Sequence, residues 1–336
     1  MRGQVNQPTR TIEVKDVAGL AARAAHPVVS IIVVSYNTRE MTLDCIRSVI
    51  AETRARYELL VYDNASSDGS AEAIAHAFPT IRLVASEVNH GFARANNIAA
   101  TMVSGEYLLL LNPDTIVLDG GIDKLLRFAR RRPAARIWGG RTLYGDRSLN
   151  PTNCWGRMSL WSVTSQALGL TRLFHDNGFF NPEGYGGWQR DSEREVDIVT
   201  GCLFLIERVF WERLGGFDPI FTMYGEEADL CLRARAYGAR PAITPECEIV
   251  HYVGASTSVR AQKLEMLLKA KVTLMRRHFP RWQLPVGLAL LSCWPLSRMI
   301  GSAVLRAVSR KPRWAETNAA WREVWRQRRD WQRGYG

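Results

Sequence analysis

From Val28 the chain alternates short apolar, β-branched runs with stretches whose apolar positions recur at helical spacing. Residues 28–36 (VVSIIVVSY) are almost unbroken in Val and Ile, the pattern of a strand buried on both faces. Residues 38–52 follow with Met41, Cys45, Ile46 and Val49 at helical spacing, which predicts a helix. The same reading predicts strands over 57–63, 81–85 and 107–111, with helices over 69–78 and 91–104 between them. A β-α-β-α-β-α-β order implies an α/β fold, a doubly wound and mostly parallel sheet with helices on both faces. Ligands of such sheets bind outside the carboxyl ends of the strands. Attention therefore falls on Ser35-Tyr36-Asn37, Asp63-Asn64 and Asn112-Pro113-Asp114.

The rhythm breaks over 144–195, which are rich in Gly, Asn, Trp and Phe and read as a long, partly irregular insertion. Regular order is expected again over 196–206, in a short helix to Leu214, in a helix over 225–237 and in a last strand over 248–252 carrying His251. The C-terminal third is different. Between Glu265 and Glu316 there is no acidic residue, while ten Lys or Arg occur, and residues 282–297 form an uncharged, largely apolar run holding Pro285 and Pro295. A spanning helix needs about 20 residues, so a re-entrant or interfacial segment with basic flanks is expected on an anionic membrane surface. Six of the eleven Trp lie from residue 282 onward, which suits a water–lipid boundary. A soluble alternative is a helical pair packed on the preceding domain. The expected organisation is an N-terminal extension over 1–27, a sheet domain over 28–258 with its insertion at 144–195, and a basic, Trp-rich helical region over 259–336.

Composition adds the class of partner. The net charge of +11 favours an anionic one, yet no nucleic-acid-binding motif occurs and much of the excess is C-terminal, so no nucleic acid is expected. The six cysteines form no C-x-x-C pair and no zinc spacing. They suit a reducing compartment, and the first 27 residues lack an apolar core behind a basic start. The expected location is the cytoplasm or the cytoplasmic side of the cell membrane.

G-x-G-x-x-G, G-x-x-x-x-G-K-[ST] and G-x-S-x-G are all absent, so the phosphate cradles and the hydrolase nucleophile elbow are missing. Carboxylates and amides at strand ends remain. Asp63 is placed to accept from a nucleobase N–H, and Asp114 to hold a divalent cation, a hard Lewis acid that prefers oxygen ligands. Equally, Asp and Asn at these places initiate turns and cap helices. The acids of Gly225-Glu226-Glu227-Ala228-Asp229 suit the first turn of a helix, and Asp229 with Arg233 makes an i,i+4 pair. One of these carboxylates facing the pocket would serve as a base. His251, taken alone, reads as well as a hydrogen-bonded core residue as it does a ligand.

Together these pieces resemble glycosyltransferase family 2, nucleotide-sugar enzymes of the GT-A fold, over about two-thirds of the chain. The resemblance is carried by Val34-Ser35-Tyr36-Asn37, Asp63-Asn64-Ala65-Ser66-Ser67-Asp68-Gly69-Ser70, Asn89 to Asn97, Asn112-Pro113-Asp114, Gly201-Cys202, Gly215-Gly216-Phe217-Asp218 and Glu226-Glu227-x-Asp229-Leu230. It implies that Tyr36 and Asp63, with Asn37 and Asn64 nearby, contact the nucleotide base. Asn89, Gly91 and Asn96 would line the donor site beside the pyrophosphate, where Asn112 also lies. Asp114 matches the last Asp of the family's D-x-D. Asn112 in place of the first acid resembles the rhamnosyltransferase-like branch and makes His251 the second ligand of Mg2+ or Mn2+. Glu227 takes the position of the catalytic base, where relatives carry Asp, and at a helix N-terminus no strongly raised pKa is expected of it. The processive synthases' Q-x-x-R-W is absent. The implied reaction is inverting, metal-dependent transfer of one sugar, L-rhamnose from dTDP-L-rhamnose, to a cell-envelope glycan or polyprenyl-linked acceptor. Trp155, Trp161 and Trp188 of the insertion are candidates to stack on sugar faces. A UDP-hexose donor, a nucleotidyltransferase and a binding scaffold without turnover remain as alternatives.

Overall fold

The computed structural model describes residues 27–252, 260–309 and 311–336. The expected N-terminal extension up to residue 26 and the expected boundary at 258/259 lie outside the described residues. The strands are β1 (Val29–Ser35), β2 (Tyr57–Asn64), β3 (Arg82–Ser86), β4 (Tyr107–Leu111), β5 (Thr115–Val117), β6 (Ile137–Leu143), β7 (Leu149–Asn150), β8 (Cys154–Trp155), β9 (Arg194–Glu195), β10 (Ile198–Val199), β11 (Leu203–Glu207) and β12 (Ala242–His251). The α-helices are α1 (Arg39–Glu52), α2 (Ser70–Ala77), α3 (Gly91–Ala100), α4 (Gly121–Arg131), α5 (Leu160–Leu168), α6 (Leu170–Leu173), α7 (Arg208–Leu214), α8 (Glu226–Ala236), α9 (Arg260–His278), α10 (Leu284–Val308), α11 (Pro312–Arg326) and α12 (Arg328–Trp331).

The main sheet runs in the order β3-β2-β1-β4-β11-β6-β12-β5. Strands β3, β2, β1 and β4 are parallel, as the alternating pattern predicts. Beyond them the sheet is mixed: β11 lies antiparallel between β4 and β6, and β12 is parallel to β6 but antiparallel to β5. All of β1 is buried, and its alternate residues feed opposite faces. Ile32 and Val34, with Leu60 and Tyr62 of β2, join a core closed by Ala95 and Ala99 of α3, Trp211 of α7 and Leu230 of α8. Ile31 and Val33, with Leu59 and Val61, meet Ile46 and Val49 of α1, Ile74 of α2 and Phe128 of α4 on the other side. Each such fully buried aliphatic side chain contributes about 1.5–3 kcal/mol.

Three regions depart from the expectation. Residues 115–143, to which the strand-and-helix reading assigns nothing, form β5, α4 and β6. Strand β12 begins at Ala242 rather than at 248, because its pairing with β6 breaks between Thr244 and Glu248, where Pro245 interrupts the apolar alternation. The apolar C-terminal run lies inside a longer helix than its sixteen uncharged residues suggest. Helix α10 continues unbroken for 25 residues and is long and apolar enough to cross a membrane by length and composition. Pro285 falls in its first turn, where no N–H is needed, and Arg298 continues the helix by turning its guanidinium to the Gln166 carbonyl, 3.4 Å away.

The C-terminal helices share a core with the insertion: Val163 and Ala167 of α5 pack with Leu268 and Met275 of α9, Leu291 and Trp294 of α10, and Trp321 and Trp331. The irregular stretch after α6 is held by Arg190, buried, whose guanidinium donates to the carbonyls of Trp188, Pro151 and Gly184.

Candidate active site

Because β1 and β2 are parallel neighbours, their carboxyl-end loops lie side by side. Asn37 adopts a left-handed φ of 52°, unusual without glycine, and is held there from both sides. Its N–H donates to Ser66 Oγ (2.9 Å) and its Oδ1 accepts the Ser67 N–H (2.8 Å). Asp68 is spent on turn geometry, accepting from the N–H groups of Arg39 and Ser70. Asp63 is different. It is 2% exposed, Oδ2 accepts the Ser66 N–H at 3.0 Å, and Oδ1 is buried without a partner. Burial raises its pKa, with Ser66 opposing. Tyr36, just past the end of β1, is exposed.

Amides fasten the next loop. Asn64 donates to Asn89 Oδ1 (2.9 Å) and accepts the His90 N–H (2.8 Å), while Asn89 Oδ1 also takes the Gly91 N–H. Gly91 opens α3 at a φ of +73°. Asn96 is buried and donates to the Phe92 carbonyl. These amide contacts set the loop's shape.

Asp114 and His251 meet across the far edge of the sheet. The antiparallel pairing of β5 with β12 sets His251 opposite Thr115, and the Tyr252 N–H donates to the Asp114 carbonyl. Asp114 Oδ1 lies 3.2 Å from His251 Nε2. Asn112 Nδ2 is 3.5 Å from the same nitrogen, and Asn112 Oδ1 is buried with no partner. Burial disfavours a charged imidazole here, but Cys202 and Asp114 beside it more than offset this and raise the His251 pKa to about 10. No group of three or more His, Cys, Asp or Glu fit to hold a metal occurs among the described residues. Among the described residues, Asp114, His251 and the Asn112 amide oxygen are the donor groups brought together here.

The three acids at the start of α8 separate cleanly. Gly225 caps the helix at a φ of +94°, and a Cβ there would lie 2.9 Å from the Phe221 ring. Asp229, fully buried, accepts from Arg233 Nε (2.7 Å), pairs with His278 Nε2 of α9 (2.9 Å) and lies 3.5 Å from Arg277 Nε. Burial works against its charge, and the bonds from His278 and Arg233 outweigh it, so its pKa is lowered. Glu226 is buried, and Glu227 is partly accessible along its side chain; Oε2 of each is buried and unpartnered. Burial raises both pKa values, Glu226 further because Glu227 adds its charge. At Glu227 desolvation outweighs the backbone N–H groups around it, so the direction is upward even at a helix N-terminus.

Glu227 is also the one acid of the three in the wall of a cavity of about 950 Å3 between α8, the insertion and α9. A Cβ on Gly201 would lie 3.5 Å from Phe92 of α3 and 4.0 Å from the Glu227 Cβ. The adjoining Cys202 carbonyl accepts the Asn112 N–H. Gly201-Cys202 therefore links Glu227 to the Asn112, Asp114 and His251 cluster. Of the insertion tryptophans, Trp155 lines the cavity. Trp161 donates to the Phe179 carbonyl, and Trp188 packs against Tyr185 and Arg194. The contact of Asp229 with His278 had no sequence signal, since it joins residues 49 apart through the packing of α8 on α9.

Residues 30–212 match the sequence pattern of glycosyl transferase family 2. The chain is 29% identical to the O-antigen biosynthesis protein RfbC of Myxococcus xanthus over 82% of its length, spanning only 21% of that larger protein. It is 26% identical to the N-acetylglucosaminyl-diphospho-decaprenol L-rhamnosyltransferase of Mycobacterium tuberculosis, covering 84% of this chain and 96% of that one. Among solved structures it resembles the mannosyltransferase PcManGT of Pyrobaculum calidifontis in complex with GDP-Man and Mn2+, with a TM-score of 0.54 and 15% identity over 95% of this chain and 88% of that one. With the strand-end residues and the acids of α8 already placed around a doubly wound sheet, the match over more than half of the chain shows that it belongs to glycosyltransferase family 2, with a GT-A-like fold.

Proposed function

We propose that the protein is an inverting glycosyltransferase that moves one L-rhamnose from dTDP-L-rhamnose to a hydroxyl of a cell-envelope glycan or polyprenyl-linked acceptor. The observation that carries the reaction type is Glu227: a buried, unpartnered carboxylate oxygen in a cavity wall, linked through Gly201-Cys202 to the Asp114 and His251 pair. The rhamnose donor is supported by the mycobacterial relative, whose name gives that sugar and a diphospho-decaprenol acceptor. In this reading 28–258 form the catalytic unit and 259–336 the membrane-associating region, at the cytoplasmic face of the cell membrane.

Asp63 Oδ1 accepts the nucleobase N–H while Tyr36 covers the base, and the loop at Asn89 and Gly91 faces the diphosphate with backbone N–H groups. Asp114, Asn112 Oδ1 and His251, which must give up its proton to coordinate, would make an oxygen and nitrogen donor set for Mg2+ or Mn2+, and the orphaned Asn112 oxygen is what such an ion would satisfy. When bound, the ion supplies positive charge that stabilises the departing diphosphate. Glu227 takes the proton as the acceptor oxygen bonds to the anomeric carbon and the nucleoside diphosphate leaves from the opposite face. Its raised pKa makes it a better proton acceptor than an exposed carboxylate.

A donor screen with Mn2+ and a lipid-linked acceptor, reading free nucleoside diphosphate, tests this. Release of dTDP that depends on the acceptor is expected. Release of UDP from a UDP-hexose alone would replace the donor assignment, and release of inorganic pyrophosphate would indicate a nucleotidyltransferase.

A further inference from the structure

The cavity beside Glu227 has an unbalanced wall. Its cationic side chains are Arg157, Arg235, Arg240 and Lys271, with His278 beside them. Arg235 pairs with Asp197 at 3.1 Å, Lys271 with Glu183 at 3.1 Å, Arg240 with Glu195 at 3.9 Å, and His278 with Asp229 at 2.9 Å. Arg157 is exposed, and among the described residues its guanidinium has no hydrogen-bond or carboxylate partner; only its backbone N–H is engaged, by Asp197 at 2.9 Å. None of the nucleotide-side residues Tyr36, Asp63, Asp114 or His251 lines this cavity. An anion drawn to Arg157 is therefore a different one from the donor's diphosphate.

The other end of the cavity points to the source of that anion. It reaches Phe279, Pro280 and Gln283, immediately before α10. Trp282 there is 74% exposed. One continuous space thus runs from Glu227, past an unpaired cation, to the foot of a helix apolar enough for a membrane.

We infer that this cavity is the acceptor site, and that Arg157 receives the phosphate or diphosphate joining the acceptor's sugar to an apolar chain. The sugar hydroxyl lies toward Glu227, and the chain leaves over Phe279 and Trp282. This rests on the transferase reading and adds to it the residue that would tell an anionic lipid-linked sugar from a neutral glycan. Volume agrees: about 950 Å3 is at the upper end for small-ligand sites. A guanidinium matches phosphate oxygens in bidentate geometry.

The test is calorimetric titration of the full chain without donor. The probes are N-acetylglucosaminyl-diphospho-farnesol, the neutral farnesyl N-acetylglucosaminide, farnesyl diphosphate and inorganic pyrophosphate. The diphospho-sugar probe is expected to bind about 10–100-fold more tightly than the neutral glycoside, the range of a charge-assisted contact. Arg157→Ala should erase most of that preference and Arg157→Lys restore part of it, with dTDP binding unchanged in both. Equal binding of the charged and neutral sugars, a preference that survives Arg157→Ala, or no binding of any probe overturns the inference. So does pyrophosphate or farnesyl diphosphate binding as tightly as the full probe, since the site would then read an anion alone. Failure of the transferase reading is separate: it would appear as absent dTDP binding and absent nucleotide release with every acceptor, whatever Arg157 does.

Discussion

Asp114 Oδ1 and His251 Nε2 stand 3.2 Å apart at the edge where β5 pairs with β12. Neither residue's strand neighbours dictate the meeting; the antiparallel register does. The carboxylate and imidazole present one oxygen and one nitrogen, with Asn112 Oδ1 unpartnered beside them. Asp114→Ala and His251→Ala are each expected to weaken Mn2+ binding in the presence of dTDP by on the order of 10-fold or more. Electron paramagnetic resonance of free Mn2+ reads this directly. Unchanged affinity in both variants would remove the pair from the metal site.

Glu227→Gln keeps size and hydrogen bonding but removes the proton acceptor. Its kcat is expected to fall about 10²–10⁴-fold while dTDP binding stays near the parent value. Glu226→Gln should cost far less, because Glu226 does not line the cavity. The reverse order would move the base by one residue.

Since burial raises the Glu227 pKa, the base is protonated to higher pH than an ordinary glutamate. kcat should therefore rise with pH through a value above the usual carboxylate range, and this rising limb should be absent in Glu227→Gln. A rising limb of unchanged midpoint in that variant assigns the titration elsewhere.

Asp229 is held by Arg233, Arg277 and His278 in a site with no solvent contact. Asp229→Asn leaves these partners without their charge, and a loss of about 3–5 kcal/mol is expected in urea unfolding. The folded pKa of Asp229 is depressed. Its contribution is thus present above the ordinary aspartate pKa and lost as pH falls through the folded value. The gap between parent and variant should narrow on acidification; a constant gap would mean that shape, not charge, is what the site needs.

Helix α10 buries one face on α5 and α11, yet Val286, Ile300, Val304 and Val308 remain exposed. An outward helix face in water ordinarily carries charge. Nearby bases without acids suit an anionic leaflet, at about 1 kcal/mol for each residue at the surface. Flotation with vesicles rich in anionic lipid should recover the parent chain, and Ile300→Glu with Val304→Glu should reduce recovery. Substitution suits this test better than truncation after Phe279, because Trp331 and Tyr335 pack back on α9 and the loop before α8. Equal recovery of both chains would discard the apolar face as an anchor.

Much of the site was legible because it is local. A strand's polar terminus follows directly from where its apolar run stops, so Tyr36, Asp63 and Asp114 could be placed at carboxyl ends from periodicity alone. The acids of α8 were legible for the same reason, as a first helical turn after a glycine. Periodicity could not say which acid faces which way: Asp229 points to His278 and Arg277 of α9, and Glu227 to the cavity, only because α9 packs on that side of α8.

What the sequence by itself determined was the set of elements in the parallel half of the sheet, the polar residues at their ends, and a stretch between Glu265 and Glu316 with bases and no acids. Burial of alternating residues enforces these within a few neighbours of each position. The mixed half of the sheet, the unbroken length of α10, the meeting of Asp114 with His251 and the cavity that joins Glu227 to Arg157 were decided only by tertiary structure. Each depends on strand order, register or helix packing between distant segments. Those contacts are selected by the fit of whole surfaces, which no local pattern of residues records.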